Sequence, residues 1–288
     1  MNPAVNWGSE SPVVESVEER MACMEVWGGT RATSSHFVVP GLDVWVYSQP
    51  HLGHESGGDV YYLSSCASGR ITRMLVGDVS GHGAEASPVA TKLRDIMRKN
   101  VNYIDQSRVV QAVNAEFEAE SAAGRFATAL ICTYFAPTKR LSVCSAGHPP
   151  PLIYRKSVGR WEVLGAAQNG SGQNNVPIGV LRDQEFVATE DRLHEGDLLL
   201  AYTDALFEAR DREGQMLSSS GLQRVAGDLD TDSPEESIDE LRTRLQQMNP
   251  DNLSGDDVTI ILARANNQTV TLGNNLLAPL RLVRGLFR

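Results

Sequence analysis

DVYYLSSCASGRITRMLVGDV, Asp59 to Val79, holds two runs of β-forming residues on either side of a Ser-Gly pair. Both runs read as strands, and Ser68-Gly69 midway between them reads as a two-residue hairpin turn. A turn at that place fixes the register, because it sets Ser65 opposite Thr72 and carries the pairing outward until Asp59 stands opposite Asp78. Two carboxylates then face each other at the open end of the hairpin. Like charges directly opposite are destabilising unless something positive lies between them, so a divalent cation is the natural partner.

The same pattern recurs further along the chain. Asp204 ends the apolar run DLLLAYTD, and Asp256 and Asp257 open DDVTIILAR, so antiparallel packing of those two strands brings their acids to one edge. Aspartate is common at strand ends for turn chemistry alone, and each of these acids has that reading. Acids at four apolar strand ends, two of those ends matched in register, point instead to a site. Carboxylates without accompanying histidine or cysteine select hard cations such as Mg²⁺ or Mn²⁺ over zinc.

Around this hairpin the β-rich runs come consecutively: LDVWVYS (42–48), FATALICTYF (126–135), LSVCSAG (141–147), PLIYR, RWEVLG and EFVATEDRL. Four helical patterns lie between and after them. One is carried by Val89, Leu93, Ile96 and Met97, and a second by Val109, Val113 and Phe117 behind an N-cap at Ser107. A third runs through Leu222, Val225, Ala226 and Leu229. The fourth starts at the capping box Ser233-Pro234-Glu235-Glu236 and continues through Ile238, Leu241, Leu245 and Met248. Strand runs in succession predict an α+β fold of antiparallel sheets with helices packed outside. Residues 1–40, rich in Ser, Gly and Glu, read as a partly disordered arm, residues 41–265 as one domain, and GAAQNGSGQNN (165–175) as a loop.

Composition narrows the function classes. With 288 residues, 41% of them apolar, the chain can bury a sizeable core, and its net charge of -10 opposes binding to a phosphate backbone. Nucleic acid is therefore not an expected partner. Cys23, Cys66, Cys132 and Cys144 show no metal or redox spacing and read as small apolar residues, and neither a secretory signal nor a long apolar span is present. A cytoplasmic location is expected.

Six motifs, GGDVYYL, GDVSGHG, SAGHPPPLIYR, VPIGV, YTDALFEAR and GDDVTIILAR, occur in this order between Pro40 and Ala265. Together they resemble the bacterial branch of the metal-dependent, type 2C-like serine/threonine protein phosphatases, the stage II sporulation protein E family. The resemblance implies a four-layer α-β-β-α sandwich with a dinuclear Mg/Mn site at one edge of its two antiparallel sheets. It implies that Asp78 bridges both metals, with the carbonyl of Val79, Asp204 and Asp256 as further ligands and Asp59 acting through water. Asp257 is a secondary candidate, since its side chain is expected on the opposite face of the strand. The implied reaction is attack of metal-activated water on phosphoserine or phosphothreonine of a small regulator of the anti-anti-sigma type.

Several positions bear on how that reaction would run. Gly81 and Gly83 would let backbone amides at the entrance of the helix over 84–99 approach the phosphate. Eukaryotic members carry a histidine two residues after the bridging aspartate; Ser80 stands there, and His82 is the candidate general acid, with a helix-cap contact as its other reading. His148 reads as a turn residue. Ala205 replaces the family's usual glycine, which raises the question of a positive φ there. Arg31 has nothing around it in sequence to mark it as a phosphate ligand. Two other functions compete: a weakly active pseudophosphatase serving as a binding module in a partner-switching pathway, and a two-metal phosphodiesterase. Beyond the last motif, residues 266–288 form a tail whose end, APLRLVRGLFR, reads as a short basic amphipathic helix for packing on this chain, a second copy or a regulator, with a membrane surface less favoured.

Overall fold

The computed structural model describes residues 17–20, 25–66, 69–81, 85–121, 124–165 and 176–268. Two sheets stack face to face. The first has the strand order β1 (Val17–Arg20), β3 (Thr33–Val39), β4 (Leu42–Gln49), β13 (Val258–Ala265), β12 (Leu198–Tyr202), β9 (Leu152–Arg155) and β10 (Arg160–Val163). The second runs β11 (Thr189–Arg192), β8 (Arg140–Ala146), β7 (Ala127–Phe135), β6 (Ile71–Val79), β5 (Asp59–Cys66) and β2 (Glu25–Gly29). Neighbours are antiparallel throughout, except that β1 lies parallel to β3.

Helices α1 (Ser87–Asn100) and α2 (Gln106–Glu120) cover the second sheet, and α4 (Ser218–Ala226) and α5 (Pro234–Met248) cover the first. The short α3 (Asp204–Phe207) follows β12 directly. Three apolar layers hold the four-layer sandwich together. Phe37, Val44, Val46, Leu63, Val76, Leu130 and Ile261 meet between the sheets. Leu93, Met97, Val113 and Phe117 pack on Val60, Leu75 and Ile131, while Leu222, Leu241 and Leu245 pack on Leu198, Leu200 and Ile260. Each such fully buried side chain contributes about 1.5–3 kcal/mol relative to exposure.

The hairpin register is the expected one: Asp59 pairs with Asp78, Ser65 with Thr72 and Cys66 with Ile71. Gly69, at φ +85°, donates its N–H to the carbonyl of Cys66 and closes the turn. Several expectations need correction. Part of the presumed arm is sheet: β2 and β3 lie within residues 1–40, at strand positions whose glycines and hydroxyl side chains obscure the apolar alternation. Gly28 belongs in β2 because a Cβ there would stand 2.8 Å from the carbonyl oxygen of Tyr61. The cap of α2 is Asp105, not Ser107, with its carboxylate accepting from the N–H of Arg108. Ser233 precedes α5 without a side-chain cap bond, so only its carbonyl, which accepts from Glu236, serves the first turn. The run EFVATEDRL is strand only over Thr189–Arg192. His82, Gly83, most of the 165–175 loop and the basic end of the tail lie outside the described residues.

Candidate metal centre

Both sheets deliver their acids to one edge. β5 begins at Asp59 and β6 ends just beyond Asp78, while β12 ends before Asp204 and β13 begins after Asp256 and Asp257. Direct bonds join the two sheets there. The hydroxyl of Thr203, in the first sheet's connection, donates to Oδ2 of Asp59 in the second at 2.8 Å. The N–H of Thr259 donates in turn to the Thr203 hydroxyl at 3.0 Å. Asp59 is consequently buried, at 3% exposure, and its position is fixed by an oxygen of the opposite sheet.

Asp257 does something different from the other acids. Its Oδ1 accepts the N–H of His51 at 2.6 Å, and its Oδ2 accepts those of Gly58 at 2.6 Å and Asp59 at 3.3 Å. The carboxylate thus anchors the loop that leads into β5. This explains the paired glycines ahead of Asp59: a Cβ on Gly57 would come within 2.3 Å of Asp257 Oδ2, and one on Gly58 within 3.3 Å of the carbonyl oxygens of both Val79 and Gly81. Only glycine lets the loop lie this close to the Asp257 carboxylate and the Val79 carbonyl.

The electrostatics of the edge follow from burial and crowding. Burial, then the neighbouring Asp204, Asp256, Asp257 and Glu208, push the carboxyl of Asp78 up to about 8. Burial, then Asp256 and Glu208, push Asp204 up to about 6. Asp59 is raised well above the ordinary carboxylate range by burial and by Asp78, despite the bonds from Thr259 and Thr203. Among the described residues none of Asp59, Asp78, Asp204 and Asp256 forms an ion pair. No three acidic, histidine or cysteine side chains among the described residues stand close enough together to enclose an ion. An all-oxygen set carrying several uncompensated negative charges fits a hard divalent cation. Asp78, Asp204 and Asp256, with the Val79 carbonyl beside Gly58, are the groups that would hold it.

Ala205 raises no strain, since it lies within α3 in right-handed backbone. Two arginines stand near the edge. Arg31 pairs with Glu55 at 2.7 Å and sits next to Thr30, whose carbonyl accepts the N–H of Gly57. Arg125 donates from Nη1 to the carbonyl of Ser80 at 2.7 Å, and its guanidinium packs on Gly81, where a Cβ would stand 2.7 Å from Nη1. Gly81 has φ +103°, so its place in the loop after Asp78 depends on having no side chain. Neither Thr203 nor Arg125 is marked by its own sequence context.

Thr203→Val tests the inter-sheet link. Replacing the hydroxyl with a methyl strands a buried carboxylate oxygen and the N–H of Thr259, at a cost of about 1–3 kcal/mol. Chemical denaturation of the metal-free protein should show that loss without a change in the slope; an unchanged midpoint would remove the link from the account.

Known proteins can now be set beside this geometry. The family model for stage II sporulation protein E (SpoIIE) matches residues 68–266, more than half of the chain. The phosphoserine phosphatase RsbU of Bacillus subtilis is 22% identical over 224 residues, covering 77% of this chain and 63% of RsbU. The chain therefore spans less than two thirds of that relative's length. Among solved structures, the RsbU and RsbW domains of Rv1364c from Mycobacterium tuberculosis superpose with a TM-score of 0.65 at 24% identity, covering 89% of this chain and 72% of that one. The PP2C phosphatase domain of SpoIIE from Bacillus subtilis, solved with a fragment of its regulatory domain, gives a TM-score of 0.65 at 18% identity, covering 85% and 64%. These likenesses concern the fold, a pair of stacked sheets between helices. With the family match over residues 68–266, they place this chain in the stage II sporulation protein E family.

Proposed function

We propose that the chain is a metal-dependent serine/threonine protein phosphatase that removes phosphate from a regulatory phosphoprotein, its substrate being of the partner-switching, anti-anti-sigma type. The observation that carries this reading is the single acidic edge, where Asp204 and Asp256 of one sheet lie near enough to Asp78 of the other to raise its proton affinity, and where none of the three forms an ion pair among the described residues. Mn²⁺ or Mg²⁺ bound there would supply Lewis-acid activation of water and neutralise phosphate oxygens. The phosphorus–oxygen ester bond breaks, the water oxygen joins phosphorus, and the departing serine or threonine oxygen takes up a proton. His82 is the proposed donor of that proton, and Gly81 and Gly83 are proposed to admit the phosphate close to the backbone.

The chain's own residues account for the rest of the arrangement. Thr203 and Thr259 hold Asp59, and Asp257 holds the Gly57-Gly58 loop, so Asp59 and the loop ahead of it are fixed by the protein itself. The relationship to RsbU supports the substrate class. Release of phosphate from p-nitrophenyl phosphate and from a phosphoserine protein substrate should require Mn²⁺ or Mg²⁺ and stop on chelation. Cleavage of a cyclic dinucleotide with no monoester hydrolysis would favour a phosphodiesterase, and cation binding with no hydrolysis a pseudophosphatase.

A further inference from the structure

His148 lies in the turn after β8, yet its ring is buried between the sheets, at 5% exposure. One ring nitrogen, Nδ1, is 2.9 Å from the hydroxyl of Thr128 on β7, and the other, Nε2, is 2.9 Å from the carbonyl oxygen of Tyr202 at the end of β12. A carbonyl only accepts, so Nε2 carries the proton and Nδ1 accepts from the threonine hydroxyl. Burial depresses the ring's basicity to about 4, more than the Tyr202 bond restores it, which agrees with a neutral imidazole.

Both partners sit next to the acids. Thr128 is the cross-strand partner of Asp78, and Tyr202 is followed by Thr203, which holds Asp59, and by Asp204. The turn that carries the ring has little freedom. Ser145 donates to the His148 carbonyl at 2.6 Å, and the Tyr202 hydroxyl donates to the Pro150 carbonyl at 2.8 Å. Gly147, at φ +67°, packs so closely on Pro177 that a Cβ would fall 2.6 Å from its ring. The turn is thus bolted to the first sheet on one side and to the second on the other.

We propose that His148 is a positioning residue whose imidazole bridges β7 and β12 and so sets the separation between Asp78 and Asp204 on which cation binding depends. The inference rests on the reading of the acidic edge as a cation site. An apolar side chain of similar volume would fill the same space and keep the layers packed, but would remove this polar link between β7, which pairs with the strand of Asp78, and β12, which leads into Asp204. Loss of a group bonded directly to a metal ligand lowers metal affinity about 10–100-fold; His148 acts one step further out, through Thr128 and Tyr202, so a loss toward the lower end is expected.

The test uses the full chain and Mn²⁺ alone, followed by titration calorimetry, beside thermal unfolding without metal. His148→Leu removes both bonds, and Thr128→Val removes one by exchanging a hydroxyl for a methyl, which keeps a folded variant available if the first does not fold. Each should weaken Mn²⁺ binding by about tenfold or more, and the double variant should fall short of the product of the two. In the unaltered protein the ¹³C and ¹⁵N shifts of His148 should report the Nε2–H tautomer. Folded variants that bind Mn²⁺ as the parent does, or an Nδ1–H ring, would overturn the proposal. A parent protein that binds no Mn²⁺ would instead overturn the reading of the edge, and the proposal with it.

Discussion

Asp78→Ala should lower Mn²⁺-dependent hydrolysis of p-nitrophenyl phosphate by at least about a hundredfold, and Asp204→Ala should do the same. Each change removes an ionised oxygen donor that the proposed cations need, and no neighbouring group can replace it without moving a strand. Full turnover by either variant at saturating Mn²⁺ would remove these residues from the site. His82→Ala should cost about tenfold or less if it only assists the leaving group. A loss equal to that of Asp78→Ala would give it a central part.

The same acids make a second, activity-free expectation that fixes the sign of their effect on stability. Asp78 is pushed up to about 8 in the folded chain, against about 3.9 for an unperturbed aspartate. A group whose proton is held more tightly in the folded state contributes stability that is fully present below the unfolded value and lost as pH rises through the folded one. The metal-free protein should therefore weaken between about pH 4 and pH 8. Asp78→Asn should flatten that dependence and raise the melting temperature at neutral pH while abolishing activity. Saturating Mn²⁺ should restore the parent at high pH, because the cation replaces the proton as the positive partner.

Much of this edge was legible because a hairpin converts sequence position into geometry. Two strand runs around one turn determine which residues face each other, and Asp59 opposite Asp78 needs no tertiary information. Bringing Asp204 and Asp256 to the same end required only that β12 and β13 be antiparallel. The illegible part depends on contacts between the sheets. Nothing local distinguishes the His148 of SAGHPPP from a turn histidine, since its partners Thr128 and Tyr202 are remote in sequence and meet it only after the layers stack. The strands before Pro40 were missed for a related reason. β2 is an edge strand containing two glycines, and its place is set by the close approach of Gly28 to Tyr61 rather than by any apolar period.

Asp257 provides the sharpest contrast with Asp78, because two acids at the same edge of the sheets are expected to respond in opposite directions. Its side chain is buried, and its two oxygens accept three backbone N–H groups, from His51, Gly58 and Asp59. The backbone thus supplies donors to both oxygens of Asp257, whereas Asp78 faces other acids. Asp257→Ala leaves those amides without an acceptor in a space that Gly57 had kept clear for the carboxylate, and should cost about 3 kcal/mol or more. The metal-free melting temperature should therefore fall, where Asp78→Asn raises it. Hydrolysis should also fall, through misplacement of Asp59 and of the Val79 carbonyl beside Gly58, and saturating Mn²⁺ should recover only part of it. The deciding measurement is thermal unfolding of both variants in chelator at neutral pH. A rise for Asp257→Ala would mean that Asp257 belongs with the mutually repelling acids, and the secondary metal ligand would become a primary one.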